Sequence, residues 1–95
     1  METVNVRIGP LEFDRASYDA EDDVLYLHSG SPREAQSEET PEGHMLRFEP
    51  GTQRVVGLTL INARWLLDRD GAMIVTVPER VSASAEELAP ALSAA

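Results

Sequence analysis

The segment Ser17–His28 limits the fold of this chain most strongly, because an acidic loop at 19–23 runs directly into an apolar strand. Its sequence is Ser-Tyr-Asp-Ala-Glu-Asp-Asp-Val-Leu-Tyr-Leu-His. Aspartate favours tight loops, and the Val, Leu and Tyr residues of Val24–His28 suit a half-buried strand. With a second short strand at Arg15–Tyr18 on the other side of the loop, the segment predicts a β-hairpin.

Four further segments alternate apolar and polar residues or are rich in β-forming residues, which is typical of strands. Each ends at Gly or Pro or at a helix signal. We expect 44–49 and 54–61, joined by a turn at 50–53, to form the centre of the sheet. The four segments are Val4–Ile8, His44–Glu49, Arg54–Ile61 and Met73–Val77.

A short helix is predicted over Ala63–Asp70. Asn62 is a favourable N-cap residue, and Gly71 suits the left-handed conformation that follows many helix ends. The alternative is a strand that continues to Leu67 and turns at Asp70-Gly71, because Asp-Gly is also a hairpin signal.

A C-terminal helix is predicted over Ala85–Leu92, since Ser84 and Glu87 have the spacing of a capping box. Pro90 is expected to shorten or kink it. We expect 93–95 to fray.

Residues 29–43 are polar, contain two prolines and show no apolar periodicity. They predict a mobile connection with room for an edge segment. The whole chain, 1–95, is predicted to be a single α+β domain. Its main part would be an antiparallel β meander of five to six strands, with one short helix and a C-terminal helix.

The net charge is −9, from 17 acidic and 8 basic residues, and every basic residue is arginine. Direct binding of nucleic acid is therefore not expected, because such binding relies on clustered basic residues. An acidic surface attracts basic proteins instead. The absence of cysteine, of a signal-peptide pattern and of a long apolar run leads us to expect a cytoplasmic protein that does not bind membranes.

Carboxylates and imidazoles are the only candidate metal ligands. Hard cations need several converging oxygens, but the spacing in the acidic loop does not match an EF-hand. The alternative is a solvated turn in which aspartates, Asp19 above all, cap backbone amides. The two histidines could share one sheet face, without a third ligand at a recognisable spacing. The candidates are Asp19, Glu21, Asp22, Asp23, His28 and His44.

No catalytic residue or cofactor is predicted, because the chain has neither a nucleophile elbow nor a glycine-rich phosphate loop. Trp65, the only tryptophan, is expected in the core or at a dimer interface. Gly57 lies inside a predicted strand, where glycine marks a bulge or a close approach of another backbone. Pairing of two subunits near Gly57 would meet that requirement.

Roughly Arg15 to Ala63 resembles the uncharacterised bacterial family known as domain of unknown function 2283. This chain has Arg47 where family members usually have a more acidic segment, and Glu49-Pro-Gly-Thr-Gln53 where they have an Asp/Gly turn. The residues that carry the resemblance are Tyr18-Asp19 with Glu21 and Asp23, Leu25-Tyr26-Leu27, Gly43, and Val55-Val56-Gly57-Leu58 with Leu60.

The resemblance implies a small domain without known catalytic residues, and some relatives look like the acidic halves of toxin and antitoxin pairs. We therefore expect a noncatalytic domain that acts through protein contacts, as a homodimer or with a basic protein. Two alternatives remain open. One is a small-ligand or divalent-metal-binding protein that uses His28, His44 and the acidic loop, and the other is a purely structural dimerisation domain.

Overall fold

A computed structural model describes residues 1–30, 34–77 and 79–94 of the chain. Over these residues the chain forms strands and helices in the order β1 (Glu2–Ile8), β2 (Leu11–Asp19), β3 (Val24–His28), β4 (Gln36–Glu39), β5 (Met45–Phe48), β6 (Val55–Ile61), α1 (Ala63–Asp70), β7 (Ala72–Thr76), β8 (Arg80–Ser84) and α2 (Ala85–Leu92).

Six strands form one antiparallel sheet in the order β1-β2-β3-β6-β5-β4. Two three-stranded units, β1-β2-β3 and β4-β5-β6, are joined where β3 pairs with β6. Strands β7 and β8 form a separate antiparallel pair. The α+β class with a short helix and a C-terminal helix is confirmed. The predicted centre is corrected, because β3 and β6 are central whereas β5 is one strand from the edge.

Alternation along the central strands separates a buried face from an open one. Leu25 and Leu27 of β3 pair with Leu60 and Leu58 of β6, and all four side chains are buried. Tyr26 lies between them on the opposite face and is exposed. We call the buried side the inner face and the side of Tyr26 the outer face. Helix α2 packs on β1, β2 and β3, and one buried cluster joins both sheets and both helices.

Helix α1 begins and ends where the sequence predicts, so the alternative of a continuing strand is wrong. Gly71 has φ 76°, and its N–H donates to the Leu67 carbonyl. Asn62 requires a correction: it has φ 57° and its side chain makes no capping hydrogen bond. The left-handed backbone at Asn62 ends β6 and turns the chain into the helix.

Helix α2 has the predicted capping box. The Ser84 hydroxyl accepts from the Glu87 N–H at 3.1 Å, and the Glu87 carboxylate accepts from the Ser84 N–H at 3.0 Å. Pro90 lies inside the helix. Neither helix of the described residues is long and apolar enough to span a membrane.

Two strands differ from their predicted extent. Strand β2 begins at Leu11 instead of Arg15, because Gly9 and Pro10 form a hairpin turn instead of interrupting the sheet. Strand β8 was not predicted, since Val81 and Ala83 are its only apolar residues and they give a weak signal. It forms by pairing with β7.

The polar connection 29–43 contains β4, which is the edge strand at one end of the six-stranded sheet. The sequence prediction left room for such an edge segment. Residues 31–33 lie outside the described residues, as do Pro78 and Ala95. The prediction that the C-terminal residues fray is wrong for Ala94. Its side chain is buried, and its carbonyl accepts from the Tyr18 N–H at 3.2 Å.

Candidate protein-interaction surface

The acidic loop is held by its own aspartates. Asp19 Oδ1 accepts from the N–H groups of Glu21 and Asp22 at 3.1 and 3.3 Å. These hydrogen bonds match the alternative of a turn in which Asp19 caps backbone amides. Within the described part of the chain, no group of three or more His, Asp or Glu residues is arranged to hold a metal ion.

Asp23 is directed at α1 instead of at its neighbours in the loop. Its carboxylate accepts from the N–H of Arg64 at 2.8 Å and of Trp65 at 3.0 Å, and its carbonyl accepts from the Ala63 N–H at 3.2 Å. It therefore supplies the N-terminal cap that Asn62 does not. Tyr18 also donates its hydroxyl to Asp23 Oδ1 at 2.7 Å.

These hydrogen bonds set the ionisation of Asp23. Burial favours the neutral carboxyl, but hydrogen bonds from Tyr18, Arg64 and Trp65 outweigh it and lower the pKa of Asp23. Burial, with the neighbouring Asp23 carboxylate, raises the pKa of Tyr18. Asp23 is thus ionised and fully engaged at a junction between β3 and α1.

The two histidines do not form a pair. His28 lies opposite Gly57 on β6, whereas His44 Nδ1 accepts from the N–H of Ile61 at 3.0 Å. Four residues of strand separate these two points, a distance of about 13 Å. His28 Nδ1 lies 3.2 Å from the Gly30 carbonyl. A shared proton or metal between His28 and His44 is therefore not supported.

His44 closes the turn between β4 and β5. The Thr40 N–H donates to the His44 carbonyl at 2.7 Å, and the His44 N–H donates to Thr40 Oγ1 at 3.1 Å. Burial lowers the pKa of His44, although the nearby Glu42 carboxylate opposes this change. Because Nδ1 accepts from Ile61, the neutral ring carries its proton on Nε2.

Glu42 ties this turn to the smaller sheet. Its carboxylate accepts from the N–H of Thr76 at 3.0 Å and from the Thr76 hydroxyl at 2.8 Å. Burial opposes ionisation, but these hydrogen bonds outweigh it and lower the pKa of Glu42. A cleft of about 370 Å³ lies beside Glu42 and His44 and is completed by Leu66, Arg69, Asp70, Ala72, Met73 and Ile74.

Gly57 lies at a β-bulge and also at a close approach of another backbone, the two features that glycine inside a strand predicts. Val56 is an extra residue in the pairing of β6 with β5, which is a β-bulge, and an added Cβ at Gly57 would lie 3.1 Å from the Leu27 carbonyl oxygen. The close backbone belongs to the same chain, however. Since β3 and β5 occupy both edges of β6, a second subunit cannot pair with β6 as a neighbouring strand. An interface near Gly57 through other contacts stays a prediction.

Trp65 is on the surface. Its side chain is 57% exposed on α1, and the Arg69 guanidinium lies 4.6 Å from its ring centroid. The prediction of a core position is therefore wrong. Of the two predicted locations, an interface is the one that an exposed tryptophan still allows.

The candidate surface that sequence reasoning missed is the hairpin of β4 and β5. All four residues of β4 are exposed, and no strand among residues 1–30, 34–77 and 79–94 pairs with its outer edge. Residues 34–49 contain five glutamates and one arginine, a net charge of −4 out of −9 for the chain. The signal was the turn-forming run Thr-Pro-Glu-Gly at 40–43, which marks a hairpin between two short strands.

A partly apolar cleft lies on the inner face of this hairpin, beyond the part that α2 covers. Its volume is about 410 Å³. Half-buried apolar side chains form half of its lining, and exposed polar residues of β4 and of the turn between β5 and β6 form the rest. The lining residues are Glu38, Leu46, Phe48, Thr52, Gln53 and Val55.

A scan of protein-family models, a search of curated proteins and a search of solved structures each found no match to this chain. The resemblance to domain of unknown function 2283 therefore stays a prediction.

Proposed function

We propose that this protein is a noncatalytic cytoplasmic interaction domain that binds a basic protein, as the acidic member of an antitoxin-like pair. The observation that carries the proposal is the acidic edge strand β4, whose outer edge pairs with no strand among the described residues. Charge of one sign concentrated on a surface speeds the encounter with an oppositely charged partner and selects against partners of like charge. An edge strand also offers unpaired backbone groups for contact.

The position of the charge matters to this proposal, so the test compares variants of equal net charge. The tagged protein, a Glu38→Gln/Glu39→Gln variant and an Asp22→Asn/Asp68→Asn control are each used to capture proteins from host extract at low salt. The control removes the same charge from exposed residues of the acidic loop and α1. Bound protein is then released with increasing salt.

We expect a basic protein to bind the unmodified chain and the control, to be released by salt, and to be lost from the β4 variant. Equal binding to the two variants, which carry the same net charge, would show that the position of the charge does not matter and would contradict a role for β4. The absence of any basic protein from all three captures would contradict the proposed function.

We place self-association at Trp65, because it is a large exposed apolar residue and tryptophan often anchors interfaces. Sedimentation velocity at several concentrations tests this. A dimer that becomes a monomer on Trp65→Ala supports the contact, with the exposed neighbour Asp68→Ala as the control. A monomer at all concentrations for the unmodified chain would rule out the homodimer.

A further inference from the structure

We infer that the basic partner binds by adding an antiparallel strand to the outer edge of β4, with an apolar side chain anchored in the cleft at Leu46, Phe48 and Val55. This inference rests on the proposed function and specifies how the contact is made. The partner segment is extended and alternates basic with long apolar residues.

The backbone of β4 is oriented for such an addition. The Thr40 N–H donates to the His44 carbonyl, and the strand pairing continues from there as Glu39 with Met45 and Glu38 with Leu46. In an antiparallel pair, hydrogen-bonded and non-hydrogen-bonded positions alternate. The N–H and C=O groups of Ser37 and Glu39 are therefore directed away from β5 and are available to a new strand.

The side chains of β4 divide between the two sheet faces in the same way. Glu38 is paired with Leu46 and lines the cleft on the inner face. Glu39 is paired with Met45, which is itself paired with Thr59, so it lies on the outer face. A residue of the partner that hydrogen-bonds to Glu39 shares the outer face with it, and its chain neighbours face the cleft.

This division defines the chemistry of the partner segment. Arginine or lysine beside Glu39 on the outer face forms opposite-charge cross-strand pairs, which stabilise a sheet. Leucine, methionine or an aromatic residue at the alternate positions reaches over β4 into the cleft. Backbone hydrogen bonds give such a complex its affinity, and the alternating side chains give it specificity.

A second copy of this chain does not suit the edge. Antiparallel pairing of two β4 strands would bring Glu38 and Glu39 of both copies into one small patch, and like charges across strands are destabilising. Charged residues on a short edge strand are a common protection against such self-pairing. A basic segment is attracted to these glutamates instead. Glu38 and Glu39 therefore disfavour pairing with a second copy of β4 and favour pairing with a basic partner.

The test uses the full chain and a fluorescein-labelled peptide, Arg-Leu-Arg-Leu-Arg, measured by fluorescence anisotropy at low salt. One twin peptide is N-methylated at its arginines, whose N–H groups would face β4, and another is N-methylated at its leucines, whose N–H groups would face solvent. Side chains and charge are the same in all three. On the protein side, Ser37→Pro removes an outward N–H that Ser37→Ala retains.

We expect the unmodified and leucine-methylated peptides to bind alike, and the arginine-methylated peptide to bind about tenfold more weakly through the loss of backbone hydrogen bonds. Ser37→Pro should weaken binding where Ser37→Ala does not, and replacing both leucines with serine should weaken it through loss of the apolar anchor.

Equal binding of both methylated peptides to the unmodified chain would overturn strand addition, while salt-sensitive attraction to β4 in the capture experiment would still stand. No binding of any peptide at low salt would also overturn it. Loss of binding on leucine methylation alone would show that the leucine N–H groups face β4, and it would overturn the assignment of arginines to the outer face and leucines to the cleft.

Discussion

At the scale of single residues, Asp23 joins the β2–β3 hairpin to α1. Its carboxylate accepts hydrogen bonds from Arg64, Trp65 and Tyr18, and its own backbone has φ 54°. The first N–H groups of α1 thus donate to a residue from a distant part of the chain instead of to a local N-cap side chain.

Two substitutions at Asp23 distinguish the effect of losing the capping carboxylate from the effect of straining the backbone at a positive φ. Asp23→Gly removes the carboxylate without backbone strain and should lower the free energy of unfolding by about 1–2 kcal/mol. Asp23→Ala should lower it further, because alanine resists a positive φ. Urea denaturation measures both. Asp22→Ala, an exposed neighbour, should change it by less than about 0.5 kcal/mol. Equal losses at Asp22 and Asp23 would contradict the capping role.

His44 makes stability depend on pH. Burial lowers its pKa in the folded state, so the unfolded chain, with a histidine pKa of about 6.5, takes up the proton first as the pH falls. The free energy of unfolding should therefore decrease from pH 7.5 to pH 5.5, and protonation would also end acceptance from the Ile61 N–H.

The His44→Asn variant tests this dependence, because asparagine keeps an acceptor near the position of Nδ1 and does not titrate. Urea denaturation at pH 7.5 and pH 5.5 should show a smaller decrease for the variant than for the unmodified chain. The same decrease in both proteins would assign the pH dependence to other groups.

At the scale of elements, Gly57 shows how closely β6 is enclosed by its neighbours. Besides the Leu27 carbonyl oxygen, an added Cβ would meet His28 at 3.4 Å and Arg47 at 3.5 Å. These atoms belong to the adjacent strands β3 and β5. Only the Leu27 carbonyl oxygen, at 3.1 Å, is closer than ordinary van der Waals contact, so a side chain at this position requires β3 and β6 to shift slightly apart.

Gly57→Ala is therefore expected to destabilise the fold by about 1–3 kcal/mol, the usual cost of adding atoms to a packed interior. Gly57→Val should cost more, even though valine favours strands. Thermal unfolding of the two variants measures the effect. A rise in melting temperature for Gly57→Val would show that strand propensity outweighs crowding here.

The helices were predictable from the sequence because their end signals are local: Gly71 after α1, and Ser84 with Glu87 at α2. Strands that depend on distant partners were harder to predict. The residues of β4 and β8 are mostly polar, and each strand forms by pairing with a more apolar strand, so a period-two signal is weak in both.

At the scale of the whole molecule, the sequence gives the amount of charge but not its location. A net charge of −9 predicts attraction to basic partners, whereas the placement of residues 34–49 at an open sheet edge appears only in three dimensions. The same reason explains the two histidines. His28 and His44 could share a face by period, but they meet β6 four residues apart, at Gly57 and at Ile61. Asp23 is engaged by α1, across 41 residues of sequence, which no local pattern indicates.

The most direct test of the account is amide hydrogen exchange of the full chain with and without the peptide Arg-Leu-Arg-Leu-Arg. If β4 receives an added strand, the amides of Ser37 and Glu39 should exchange more slowly when the peptide is bound, because their N–H groups become hydrogen-bonded. Unchanged exchange at Ser37 and Glu39, with protection near Trp65 or the cleft beside His44 instead, would contradict the assignment of β4 as the partner site.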